Sequence, residues 1–144
     1  MIVSQMLKSK PDVGVISVTP DSTVTEAAKL LSTHRIGTVV VSKDGESLDG
    51  ILSERDIVRE LGKRGVACLE DPVSALMTSE LVTCSPSDTA LQVLEMMTEG
   101  RFRHVPVMDG GKMVGLISIG DAVKGRLSQL SMEKESLEGM IMGH

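Results

Sequence analysis

Apolar and polar positions along this chain repeat with a lag of 65 or 66 residues. Ile16-Ser17-Val18 and Leu81-Val82-Thr83 alternate as short strands, each ended by a proline, Pro20 and Pro86. Thr23-Val24-Thr25-Glu26 and Thr89-Ala90-Leu91-Gln92 then open helices as capping boxes. Behind them Val24, Ala27, Ala28 and Leu31 match Ala90, Val93, Leu94 and Met97, an i, i+3, i+4, i+7 stripe that buries one helix face. Two strand runs follow in each half, over 38–41 and 50–52 and over 104–107 and 113–117. Lys43-Asp44-Gly45 and Asp109-Gly110-Gly111 join them, so each pair predicts a hairpin. Helices over 53–61 and 118–127 close the halves. Each half reads β-α-β-β-α, and the fold class is mixed α/β.

Val3-Ser4-Gln5-Met6-Leu7 is echoed by Val73-Ser74-Ala75-Leu76-Met77, which makes each the lead-in to its own repeat. Residues 8–14, with Pro11 and Gly14, form a polar loop. The layout is a first repeat over 1–62, a connection over 63–72, a second repeat over 73–127 and an amphipathic helix over 128–144. Neither repeat alone covers both faces of a sheet, so the two pack sheet to sheet with pseudo-twofold symmetry and leave clefts at the seam. In the last helix Leu127, Leu130, Leu137 and Ile141 share one stripe, and Gly139 and Gly143 weaken its end. The stripe either folds back on its own module or covers a second copy. Together with the exposed seam it leads to the expectation of a homodimer.

The strongest echo is Gly50-Ile51-Leu52-Ser53-Glu54-Arg55-Asp56-Ile57-Val58 against Gly115-Leu116-Ile117-Ser118-Ile119-Gly120-Asp121-Ala122-Val123. In both, a strand runs into a helix N-terminus, whose unpaired N–H groups and dipole suit an anion such as phosphate. Ser53 and Ser118 stand at that end. Asp56 and Asp121 lie in the first turn, where a carboxylate accepts a pair of hydrogen bonds from adjacent hydroxyls, as on a ribose. The same Ser-x-x-Asp spacing is also a capping box, worth roughly 1 kcal/mol per helix, and the motif alone leaves both readings open.

Composition narrows the function. One phenylalanine and no tryptophan or tyrosine leave the core to Val, Ile, Leu, Ala and ten Met, and remove the usual base-stacking platforms. With a net charge of −5, this argues against nucleic-acid binding. Cys68 and Cys84 show no Cys-x-x-Cys and no histidine pair, so they read as free core thiols, with no metal site. No segment has signal-peptide or membrane-spanning character, and a cytoplasmic protein is expected. No catalytic triad, P-loop, dinucleotide fingerprint or His-Glu-x-x-His is present, and the chain is not expected to be an enzyme.

The duplicated order of capped helix, strand pair and Gly-to-Asp motif resembles a pair of cystathionine β-synthase (CBS) domains, a Bateman module, from Val3 to about Leu127. The resemblance implies a regulatory module with no required cofactor. Its ligand would be an adenosine-containing molecule, AMP foremost, or ADP, ATP, NAD or S-adenosylmethionine. It places Asp56 and Asp121 on ribose hydroxyls and Ser53 and Ser118 near phosphate. Arg101, Arg103 and His104, opposite Arg35, Gly37 and Thr38 in the first half, form a phosphate clamp of three potential cations. Arg55 either reaches a phosphate or pairs with Glu54 or another neighbour. The resemblance further implies that Thr19, Thr83, Ile36 and Val105 line the base pocket and that Thr38 and Pro106 complete the nucleotide-binding set. Output then passes through a separate protein effector or through oligomeric state.

Overall fold

A computed structural model describes residues 1–10 and 14–141. The chain divides into two compact units: Val13–Leu81 with Gly110–Val114, and Met1–Asp12 with Val82–Asp109 and Gly115–His144. The first carries most of the first repeat and the second most of the second, but the two lead-ins have changed places.

In the first-repeat unit β1 (Ser17–Val18) lies parallel to β2 (Thr38–Val41), which runs antiparallel to β3 (Gly50–Ser53), with Thr38 opposite Ser53 and Val41 opposite Gly50. Helix α2 (Val24–His34) starts where the Thr23 hydroxyl accepts the Glu26 N–H, and ends at Arg35 in the left-handed region. Helix α3 (Glu54–Arg64) starts at Ser53 and runs through Gly62. The connection then forms a 3-10 turn, Gly65–Glu70, tied to α2 by the Thr25 hydroxyl donating to Leu69 O (2.9 Å). Val18, Val24, Ala27, Leu31, Val39, Val41, Leu52 and Ile57 form the core, and Val73 and Leu76 complete it. These last two come from the lead-in of the second repeat. It is held by Val73 N–H to Ser22 O (2.7 Å), by Ser74 N–H to Pro20 O (3.0 Å) and by a pair of bonds between Thr78 and Ile51. A Cβ on Gly50 would stand 2.8 Å from both Thr78 O and Met77 Sδ, so this close passage needs glycine.

The second-repeat unit repeats the arrangement. Helix α1 (Val3–Ser9) is held by Val3 N–H to Asp88 O (2.8 Å) and Ser4 N–H to Pro86 O (2.9 Å). Val3 and Met6 are buried with Cys84, Ala90, Val93, Met97, Val105, Val107, Ile117 and Ala122, and Leu7 lies over Gly115. The expectation that each lead-in serves its own repeat is therefore corrected: each completes the core of the other. Lys8 and Ser9, expected in a loop, close α1, while Pro11 lies outside the described residues. Helix α4 (Ala90–Gly100) is capped by Thr89, and β4 (His104–Asp109) pairs with β5 (Lys112–Ser118).

The strand expected at 81–83 is absent. Val40 donates to Ile16 O in the first repeat, but the equivalent residue in the second is Pro106, which has no N–H to donate. Only the next bonds survive, Cys84 N–H to Pro106 O and Met108 N–H to Cys84 O, both 2.9 Å. Cys84 and Cys68 are free and buried, and burial, then the Asp88 charge, pushes the Cys84 thiol up to about 11, so it stays protonated and unreactive.

Helix α5 (Ile119–Ile141) continues the last helix of the repeat without a break through Gly139; Gly143 lies outside the described residues. Its stripe does not fold back on the described residues: Leu127 is 61% exposed, Leu137 59% and Ile141 84%. No helix among the described residues is long and apolar enough to cross a membrane.

Candidate functional site

Both strand-to-helix corners form the capping box that the Ser-x-x-Asp spacing allows. In the first-repeat unit Ser53 N–H and Oγ–H donate to Asp56 Oδ2 (2.9 and 3.0 Å), and Asp56 N–H donates to Ser53 Oγ (3.3 Å). In the second-repeat unit Ser118 N–H donates to Asp121 Oδ2 (2.9 Å) and Asp121 N–H to Ser118 Oγ (3.1 Å). Capping and ligand binding are compatible, because the box uses one carboxylate oxygen and leaves the other for further donors.

Around these corners the two units differ in charge. In the second-repeat unit Ile119 N–H donates to Arg103 O (2.8 Å), which fixes the start of β4 beside the first turn of α5. Arg103, His104, Ser118 and Asp121 are thereby brought together, and so is Lys10, which sequence reasoning missed. Lys10 Nζ donates to Asp121 Oδ2 and to Leu116 O, each at 2.8 Å. Arg101 is exposed and closes α4 in the left-handed region (φ 57°), as Arg35 closes α2 (φ 53°). Phe102, between the two arginines, packs against the core.

In the first-repeat unit the bond from Glu54 N–H to Gly37 O (2.9 Å) makes the same junction. The Glu54 carboxylate lies over Gly37, 3.5 Å from where a Cβ would stand, at the place Arg103 holds in the other unit. Asp56 is 8% exposed and pairs with Arg59 (3.3 Å), one turn along α3. Arg55 is exposed and makes no ion pair among the described residues. Thr38 is buried opposite Ser53 in the sheet.

The base-pocket residues divide. Thr19 is exposed and shares a 2.8 Å hydrogen bond with Ser22, and Thr83 is exposed before Cys84. Ile36 packs partly buried against the first core cluster. Val105 is 0% exposed, so its side chain fills the second core and does not line an open surface; Pro106 is buried beside it in β4.

His104 is half-buried, and its charge is opposed first by burial and then by Lys10 and Arg103, against a pull from Asp121; it titrates below the ordinary 6.5. It is therefore a neutral imidazole at pH 7, which corrects the count of three cations to two arginines, with Lys10 as a third charge from another element. Burial resists charge on Asp121, but the bonds from Lys10 and Ser118 outweigh it and hold the carboxyl below the ordinary 3.8. The folded chain thus binds fewer protons at His104 than the unfolded chain, and stability falls as pH drops through 6.5 toward the folded value. The Asp121 contribution is present above 3.8 and is lost only as pH falls through its still lower folded value. Thermal melts should show the first loss beginning near pH 6.5 and should lose it in His104→Gln. A His104→Gln series that keeps that slope would place the titrating group elsewhere.

Comparison with known proteins agrees with this architecture. The CBS domain family model matches twice, over residues 6–63 and 73–128. A mitochondrial CBS domain-containing protein of Arabidopsis thaliana is 35% identical across 98% of this chain and 72% of its own length. The crystal structure of a CBS-domain containing protein from Agrobacterium tumefaciens superposes with a TM-score of 0.82 at 44% identity, covering 88% of this chain and 99% of that one. A CBS domain protein from Pyrobaculum aerophilum, complexed with AMP, is similar at 27% identity and a TM-score of 0.73, covering 84% and 89%. With two family matches in the same order as the two repeated halves, the chain belongs to the CBS domain family as a tandem pair.

Proposed function

We propose that this chain is a regulatory module, not an enzyme, that binds an adenosine-containing nucleotide, AMP foremost, at the corner built by Arg103, Ser118, Asp121 and Lys10. The observation that carries this reading is the bond from Ile119 N–H to Arg103 O, which sets a cationic segment against a helix N-terminus whose first turn holds a carboxylate. Phosphate then meets the Arg103 side chain at the positive end of α5, and the ribose hydroxyls meet Asp121. The related protein seen with AMP supports the ligand class. ADP, ATP, NAD and S-adenosylmethionine share the adenosine group and are weaker alternatives. Asp56 and Ser53 form a second corner with less positive charge around it.

Signalling passes through conformation or association. The exposed Leu127, Leu130, Leu137 and Ile141 of α5 suit a homodimer, and a separate protein effector reads the state. The buried, free Cys68 and Cys84 suit the reducing cytoplasm. One observation favours a second reading, a ligand-free interaction module of the same fold: Asp121 already has a partner in Lys10.

The chain has no Trp or Tyr, so a 260 nm band in the purified protein reports bound nucleotide directly. Mass analysis of the denatured sample should release AMP, and AMP at a hundred times its dissociation constant should raise stability by about 2.7 kcal/mol. A clean spectrum, together with no thermal shift from AMP, ADP, ATP, NAD or S-adenosylmethionine, would leave the interaction module standing. Sedimentation of the same samples should give a dimer; a monomer at high micromolar concentration with and without AMP overturns the assembly.

A further inference from the structure

The exchanged lead-ins carry opposite charges at matching sequence positions. Leu7 lies over Gly115, and three residues later Lys10 reaches Asp121. Met77 lies over Gly50, and three residues later stands Glu80. The second inversion is Glu54 over Gly37, where the other unit has Arg103. Asp56 takes its cation from its own helix, Arg59, whereas Asp121 takes its cation from a different element of the chain.

We infer that Lys10 is a specificity-determining counter-ion: it holds Asp121 while the corner is empty, and turns to the ligand's phosphate when ribose hydroxyls take the carboxylate. This rests on the nucleotide-binding reading and deepens it. A pair of ribose hydroxyls that takes both oxygens of Asp121 meets the Lys10 ammonium on Oδ2, and displaces it from its two 2.8 Å bonds to Asp121 Oδ2 and Leu116 O. A nucleoside without phosphate gives that ammonium no new anion, so the lost ion pair counts against it. A nucleoside phosphate supplies one, and one ion pair is exchanged for another at little net cost. The lysine suits this exchange because its charge sits on a flexible four-carbon stem and is partly open to water, with the side chain 36% exposed. At the Asp56 corner the corresponding position is Glu80, so the same selection for phosphate is absent there.

The test is calorimetric titration of AMP and adenosine into the full chain carrying Asp56→Asn, with and without Lys10→Met. Removing Lys10 should separate the two ligands, leaving AMP within a few-fold of the parent and tightening adenosine by up to about tenfold. Lys10→Arg, which keeps the charge, should retain the preference for AMP. Equal changes for both ligands, or none, would overturn the role of Lys10 while leaving the nucleotide reading intact. Absence of any AMP or adenosine binding to the parent would overturn both. Melting curves of each variant establish that it is folded, and Lys10→Gln supplies an uncharged replacement that keeps a polar end if Lys10→Met is not.

Discussion

Asp121→Ala should weaken AMP binding by roughly 10- to 150-fold, corresponding to about 1.5–3 kcal/mol of charge-assisted hydrogen bonding to the ribose. The structure shows Asp121 as N-cap partner of Ser118 and counter-ion of Lys10, the proposed function adds the ribose acceptor, and the substitution removes all three together. Their costs fall on different measurements. Loss of the cap lowers folding stability by about 1 kcal/mol and has no direct effect on a bound ligand. Loss of the counter-ion leaves Lys10 free to meet phosphate, which works against any fall in AMP affinity. Only loss of the ribose acceptor lowers affinity in proportion to the hydroxyls present. AMP lacking both ribose hydroxyls is therefore the control, and should bind wild type and variant within a few-fold of each other. Asp56→Ala should give a smaller loss, because Glu54 lies over Gly37 where the other unit has Arg103, and Glu80 holds the sequence position that matches Lys10. Unchanged AMP affinity in a folded Asp121→Ala protein refutes the ribose assignment and leaves Asp121 as a cap.

Met6→Ala should destabilise the protein by about 2–5 kcal/mol, the usual range for truncating a long apolar side chain in a packed core. Met6 is 2% exposed, and a Cβ on Gly125 would stand 2.7 Å from its Sδ, so little space exists for neighbours to close the cavity without moving α5. A natural domain has only about 5–15 kcal/mol in hand. The position of the damage is the more telling result. Met6 belongs to the lead-in of the first repeat in sequence but is buried with Val93, Val105 and Ile117 of the second. Hydrogen exchange should therefore lose protection first around those residues. An initial loss around Val39 and Leu52 would mean that α1 serves its own repeat after all.

Much of this architecture is local and was legible from the chain. Thr23 and Thr89 start helices because a side-chain oxygen satisfies an N–H three residues on, a contact that needs no other part of the fold. The hairpins follow from alternation and glycine turns, and the lag of 65 residues between the Gly-to-Asp motifs exposed the duplication and the two corners. Both aspartates of those corners were found because Ser-x-x-Asp completes itself within one helical turn. The missing strand at 81–83 was harder: its failure is caused by Pro106, a residue on the strand it would have paired with.

By itself, then, the sequence determined the elements, their caps and the repeat, since these depend on contacts within a few residues. The tertiary structure alone decided which lead-in completes which core. Val3 and Met6 offer nearly the same apolar spacing as Val73 and Leu76, so the pattern is degenerate and packing against Ala90 and Val93 or against Val24 and Ala27 makes the choice. That choice also decided the charge of the candidate site. Lys10 and Asp121 are 111 residues apart, and only the exchanged course of α1 places the ammonium against the carboxylate.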